Sequence, residues 1–139
     1  MFLYCLCLNR WFCFWCLAQY NVYTMLYNGE GTNRDDDQAI YWLIKSSDLK
    51  YPPAQRTLGY HYYYGECVEQ NYKRSVENYN NAAIQGDTSS KWNLGLCYAF
   101  GEGVSASKEM ARYWISEAAS DNYQPAIDYL REEKDFFSD

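Results

Sequence analysis

Along residues 54 to 64 the inward-type positions fall at 54, 58, 61 and 62, a spacing that lines one face of an α-helix. The same stretch recurs. Val22 to Thr32, Leu58 to Val68 and Leu94 to Val104 lie over one another without insertion, and Gly29, Gly65 and Gly101 stand 36 residues apart, each followed by Glu. Small residues keep the register on both sides: Ala18, Ala54, Ser90 and Ala126; Ala39, Ser75 and Ala111; Ser46-Ser47, Ala82-Ala83 and Ala118-Ala119. Gly29, Gly31, Gly65, Gly101 and Gly103 read as turn residues, because glycine closes a helix by entering the left-handed region at low cost. About six residues later Asp35, Asn71 and Ser107 stand 36 apart, three different residues that share the ability to cap free backbone N–H groups. Each unit therefore reads as helix, tight turn, helix. The small positions of the second helix, with Gly59 and Gly95 on the first, allow close helix approach.

A period of this length is the mark of a stacked repeat architecture. The expected fold is all-α, a solenoid of about three helix-turn-helix repeats over residues 18–53, 54–89 and 90–125, ending in a capping helix over 126–139 where Arg131 replaces the turn glycine and charged residues follow.

Residues 1–17 differ, being apolar apart from Asn9 and Arg10. Three readings stand: a signal peptide ending at Cys16-Leu17-Ala18, although a basic n-region is missing; a membrane anchor, although Arg10 breaks the run needed to span; or a helix packed on the first repeat. Export or membrane association follows if the segment targets the chain, and a cytoplasmic location otherwise. A membrane partner enters only if residues 1–17 anchor.

The chain has 139 residues, enough for one domain with its own core, and 16 Tyr and 5 Trp make disorder untenable. Its net charge is −6 with no basic cluster, which argues against a nucleic-acid partner. Cys5, Cys7, Cys13 and Cys16 crowd the first 16 residues, while Cys67 and Cys97 stand alone, so no disulfide framework is evident. Cys13-Phe-Trp-Cys16 lacks the βαβ setting of a redox motif, and its bulky spacers offer no turn chemistry for zinc. No metal or cofactor is expected. The single histidine, His61, occupies the register of Met25 and Cys97 and reads as a packing residue, and Glu30, Glu66 and Glu102 recur with the period as turn residues. Nothing in this inventory assembles a catalytic set, so the chain is expected not to be an enzyme.

Ala54 to Val68 and Ser90 to Val104 resemble the Sel-one-like repeat (SLR) family, a tetratricopeptide-like group with the pattern A-x-x-x-L-G-x-x-Y-x-x-G-x-G-V. Cys67 departs from it at the second glycine, Ala18 to Thr32 follow it more loosely, and Gln38, Arg74 and Met110 replace a lysine of the pattern. The resemblance spans residues 18 to 130 and implies a right-handed stack of helix pairs with adaptor or assembly roles. A cysteine-rich branch of the family is linked to β-lactam binding or hydrolysis, but Ile84 and Trp92 stand near its cysteine positions.

Solenoids bind along an extended concave surface. If 54, 58, 61 and 62 point inward, then 56, 60 and 63 point outward. Three repeats give Tyr20, Thr24 and Tyr27; Arg56, Tyr60 and Tyr63; and Trp92, Leu96 and Ala99. Five of the nine are aromatic, and Tyr, Trp and Arg are hot-spot residue types. Tyr20, Tyr27, Arg56, Tyr60, Tyr63, Trp92 and Leu96 are the expected contacts of a scaffold that binds a protein or peptide partner. Three alternatives accompany this reading: the stripe packs on the chain's own N-terminal segment, it is ordinary scattered aromatic surface, or the chain assembles with itself or with longer repeat proteins through its uncapped N-terminal end.

Overall fold

The computed structural model describes the backbone of residues 10–137 and the side chains of residues 13–133. Seven α-helices follow one another with no strand among the described residues: α1 (Arg10–Asn28), α2 (Asp36–Asp48), α3 (Pro52–Tyr64), α4 (Tyr72–Ala83), α5 (Thr88–Phe100), α6 (Lys108–Ser120) and α7 (Gln124–Phe137). The architecture is an all-α solenoid. α1 pairs with α2, α3 with α4 and α5 with α6, each pair packs on the next, and α7 packs on α6. The division between residues 17 and 18 falls inside α1, so from Arg10 onward the apolar segment is continuous with the first helix of repeat one. Cys5 and Cys7, and the readings placed on residues 1–9, lie outside the described residues.

Local chemistry fixes the helix ends. The side chains of Asp35, Asn71 and Ser107 accept hydrogen bonds from the N–H groups of Gln38, Arg74 and Met110. Asp87 does the same for Ser90 at the start of α5, and α3 opens on Pro52-Pro53, whose missing N–H groups would have had no helical partner anyway. At the other ends, Gly65 and Gly101 hold φ of 69° and 70° and donate back to the carbonyls of His61 and Cys97. A further turn joins each pair to the next through Lys50, Gly86 and Asn122, again 36 apart and all at positive φ. The residue types at that register conceal it, since only one of the three is glycine.

The core is a chain of linked clusters. Tyr23, Ala39, Ile40, Leu43, Ala54 and Leu58 join α1, α2 and α3; Val76, Tyr79, Ala83, Leu94 and Cys97 join α4 and α5; Ile115, Ala118 and Ala126 join α6 and α7. No pair could bury its apolar side alone, and stacking supplies the missing cover. Within a pair the helices nearly touch. A Cβ at Gly59 would lie 2.8 Å from the Tyr79 ring, and one at Gly95 would lie 2.6 Å from Ile115.

Candidate partner-binding face

Of the seven expected contact residues, five are engaged by the stack itself, three within their own repeat and two across to the next. Tyr20, Arg56 and Trp92 share one register, and each reaches the residue 31 positions on. The Tyr20 ring meets Tyr51 at 5.5 Å, Arg56 pairs with the buried Asp87 carboxylate at 2.7 Å, and Trp92 meets Tyr123 at 6.0 Å. Tyr27 and Tyr63 share a second register, in which each hydroxyl donates at 2.5 Å to the glutamate 39 positions on, Glu66 and Glu102. The bond to Glu66 pushes the Tyr27 phenol up to about 12, and burial followed by the Glu102 bond raises that of Tyr63 as well. Glu66 and Glu102 are therefore not turn residues alone. They are acceptors that tie each repeat to the one before it.

Tyr60 and Leu96 differ. Tyr60 is exposed and Leu96 half-buried, and neither side chain makes a polar tie to a neighbouring repeat. One turn further along the same helices stand Tyr64 and Phe100, 61% and 68% exposed, which the expected stripe omits. The helical wheel explains the miss. α3 and α5 each pack both on their own partner and on the second helix of the preceding unit, so Gln55 and Gly59 are buried together with Ala54, Leu58 and His61. The buried arc widens toward one side, and the open face turns by about 60° at 100° per residue. It carries residues 57, 60 and 64 in place of 56, 60 and 63. The available signal was the repetition itself, because registers 57/93, 60/96 and 64/100 lie three and seven residues apart, on one helix face.

This face is built from three registers: Asn21, Thr57 and Asn93; Thr24, Tyr60 and Leu96; Asn28, Tyr64 and Phe100. None of the nine is charged, in a chain with 12 basic and 18 acidic residues. Most charges of the helix pairs sit instead on α2, α4 and α6. The charged side chains of α3 and α5 are Arg56 and Lys91, bound to Asp87 and Asp121. The apolar part is confined to repeats two and three, where a cleft of about 170 Å³ opens between Tyr60, Tyr63, Tyr64, Asn93 and Leu96 over the ring of Tyr79. Its tyrosines brace one another, with ring centroids 4.5 Å apart for Tyr60 and Tyr64 and 4.9 Å apart for Tyr63 and Tyr64.

His61 lies beneath this face and is only 1% exposed. Its Nδ1 is 2.8 Å from the Glu66 carbonyl oxygen, which only accepts, so Nδ1 carries the proton; Nε2 then accepts from the Tyr23 hydroxyl at 2.8 Å. Burial lowers its pKa. A neutral, fully bonded imidazole of this kind is a joint between repeats one and two. Cys13, Cys16, Cys67 and Cys97 are free thiols, and burial pushes Cys97 up to about 12, far from a reactive thiolate.

Comparison with known proteins accords with this geometry. The family model described as Sel1 repeat matches residues 17–51, 52–87 and 88–123, one or two residues ahead of the frame set by the glycine register. A Sel1 repeat protein from Oxalobacter formigenes superimposes with a TM-score of 0.81 at 31% identity, covering 84% of this chain and 88% of that one. A protective antigen with an SLR fold from uropathogenic Escherichia coli gives 0.74 at 33% identity over 76% of this chain and 23% of its own. Helicobacter pylori cysteine rich protein B shares the fold at 0.70 and 18% identity, over 86% and 90% of the two chains. Curated relatives include an uncharacterized Neisseria meningitidis protein, 29% identical over 115 residues and 83% of this chain. An Arabidopsis thaliana protein named as a component of an ERAD-associated E3 ubiquitin-protein ligase is 27% identical over 84 residues and 60% of this chain. This chain spans 23% and 14% of those two relatives.

Proposed function

The chain belongs to the Sel1 repeat family, whose members generally serve as protein-interaction scaffolds, and from that premise we propose that it holds a protein or peptide partner against the first-helix face of repeats two and three. Tyr60, Tyr64, Leu96 and Phe100 make the contacts, with Asn93 and the tyrosine hydroxyls supplying hydrogen bonds. Tyr20, Tyr27, Arg56, Tyr63 and Trp92 hold the repeats in the arrangement that presents them. The observation that carries this reading is the exposure of Tyr60 and Tyr64 at one cleft, with Phe100 exposed at the position that matches Tyr64 in the next repeat. Large, rigid aromatic side chains left in water at the rim of a cleft are the usual anchors of an interface. A multi-protein assembly role also suits the Arabidopsis relative, named as one component of a ligase.

The test is site-specific photo-crosslinking in the native host. A photoreactive residue at Tyr64 is expected to give a discrete adduct, and one at Tyr113, which is 54% exposed on α6, is expected to give none. Equal labelling at both positions would remove the reading. Y60A/Y64A/F100A is expected to lose the adduct partner while keeping its helical spectrum, since all three side chains are exposed. The scaffold reading also expects no turnover in a β-lactam hydrolysis assay of the purified chain, and robust turnover would replace it.

A second reading rests on α1. Phe14, Trp15 and Leu17 on α1 are 65%, 60% and 40% exposed, and Ala18 is exposed where its counterparts Ala54, Ser90 and Ala126 are fully buried. That surface is suited to a second copy or a longer repeat protein.

A further inference from the structure

We infer that the partner segment is an uncharged, proline-rich strand in the extended polyproline II conformation; the inference rests on the first-helix face being the binding surface. Charge is the first argument. Asn21, Thr24, Asn28, Thr57, Tyr60, Tyr64, Asn93, Leu96 and Phe100 offer no ion to meet another ion. A charged partner side chain pressed against them would lose hydration and gain no counter-charge.

Shape is the second argument. A strand cannot add by backbone pairing, because the described residues contain no sheet edge. An amphipathic helix needs a long apolar groove for anchors at i, i+3, i+4 and i+7. Here the apolar part is one cleft of about 170 Å³ across α3 and α5, and on α1 the same registers carry Asn21, Thr24 and Asn28. A short extended segment fits where a helix does not.

Hydrogen bonding is the third argument. Proline-rich segments present carbonyls without matching N–H groups, and their rings pack on aromatic faces. The cleft offers the complement: the phenol rings of Tyr60 and Tyr64 with their hydroxyls, and the amide of Asn93. Because such a segment is already extended before binding, little conformational entropy is lost on a small surface.

Display selection of random short peptides against the full chain tests this, with Y60S/Y64S as counter-target and its helical spectrum as the folding check. Enrichment of uncharged peptides with proline at about every third position is expected. Replacing those prolines by alanine in a synthetic copy should weaken binding at least tenfold, and added salt should leave affinity unchanged. Enriched peptides that lack proline or carry charge, yet fail on Y60S/Y64S, overturn the inference and leave the face standing. Peptides that bind wild type and Y60S/Y64S equally overturn both. No enrichment at all overturns the inference, and the crosslinking result then decides the face. F100S repeats the comparison at a second exposed position.

Discussion

Cys67 holds φ at +62° in the register where Gly31 and Gly103 hold +70° and +75°. A side chain in the left-handed region costs roughly 1–2 kcal/mol, and the half-buried contacts of Cys67 with the first core cluster return only part of that. Cys67→Gly is expected to stabilise the protein by up to about 1 kcal/mol, read as a higher thermal midpoint. Gly95 behaves oppositely. A Cβ there would meet Ile115 and backbone of α6, so Gly95→Ala is expected to destabilise by about 1–3 kcal/mol in chemical denaturation. His61 sets a pH dependence. Its folded pKa lies below the ordinary 6.5, so below that pH the unfolded chain binds more protons than the folded one. Stability should therefore fall as pH drops from 6.5 toward 5, before the carboxylates begin to titrate. His61→Met, the residue type at register position 25, should flatten that slope while costing about 1–3 kcal/mol for the unpaired Tyr23 hydroxyl. Thermal midpoints of both proteins across this range check it.

At the scale of elements, the first helix of a repeat is tied to the turn that ends the same repeat by rungs of fixed spacing. The Gln55 side chain accepts from that of Gln85 at 2.7 Å, and Lys91 meets Asp121 at 2.8 Å, in both cases 30 residues on. The third member of that register is Gln19, whose side-chain oxygen is buried without a partner because Leu49 stands where Gln85 and Asp121 do. Leu49→Gln is expected to complete the rung and add up to about 1 kcal/mol, measured by denaturant unfolding. The helices and their turns were legible because their causes are local: a cap needs an acceptor at one position, and a helix end needs a left-handed residue at another. What escaped was set by neighbours. The roles of Tyr27, Tyr63 and Arg56 depend on residues 31 to 39 positions away, and the rotation of the open face toward Tyr64 and Phe100 depends on burial of Gln55 and Gly59. Helical spacing alone weighs only contacts made with one partner, and α3 and α5 each have two. The left-handed turn at Lys50 and Asn122 escaped for a related reason: position, not residue type, forces it.

At the scale of the molecule, α1 and α7 differ in the surface they leave exposed. At the C-terminal end α7 covers the last pair, with Tyr129 and Leu130 packed beside Ile115 and Ala118, and Arg112 reaches Glu133 at the rim. On α1, Ala18 lies in water where its counterparts in the later units are buried, and Phe14, Trp15 and Leu17 form an apolar surface beside it. Isolated apolar side chains are common on surfaces, but three within one turn of helix form a contiguous patch. We propose that an identical patch covers it, giving a two-fold dimer of self-complementary surfaces. The Tyr–Glu rungs argue against head-to-tail growth instead. Such growth would need a tyrosine in the last repeat to reach Glu30 of the next copy, and that register carries Ala99. A closed dimer leaves the first-helix face of repeats two and three free in both copies, so assembly and partner capture are compatible. Light scattering coupled to size exclusion should therefore show a concentration-dependent dimer, and Phe14→Ser with Trp15→Ser should return it to monomer without loss of helix. The same double variant should keep the photo-adduct formed from Tyr64, which separates the two surfaces experimentally.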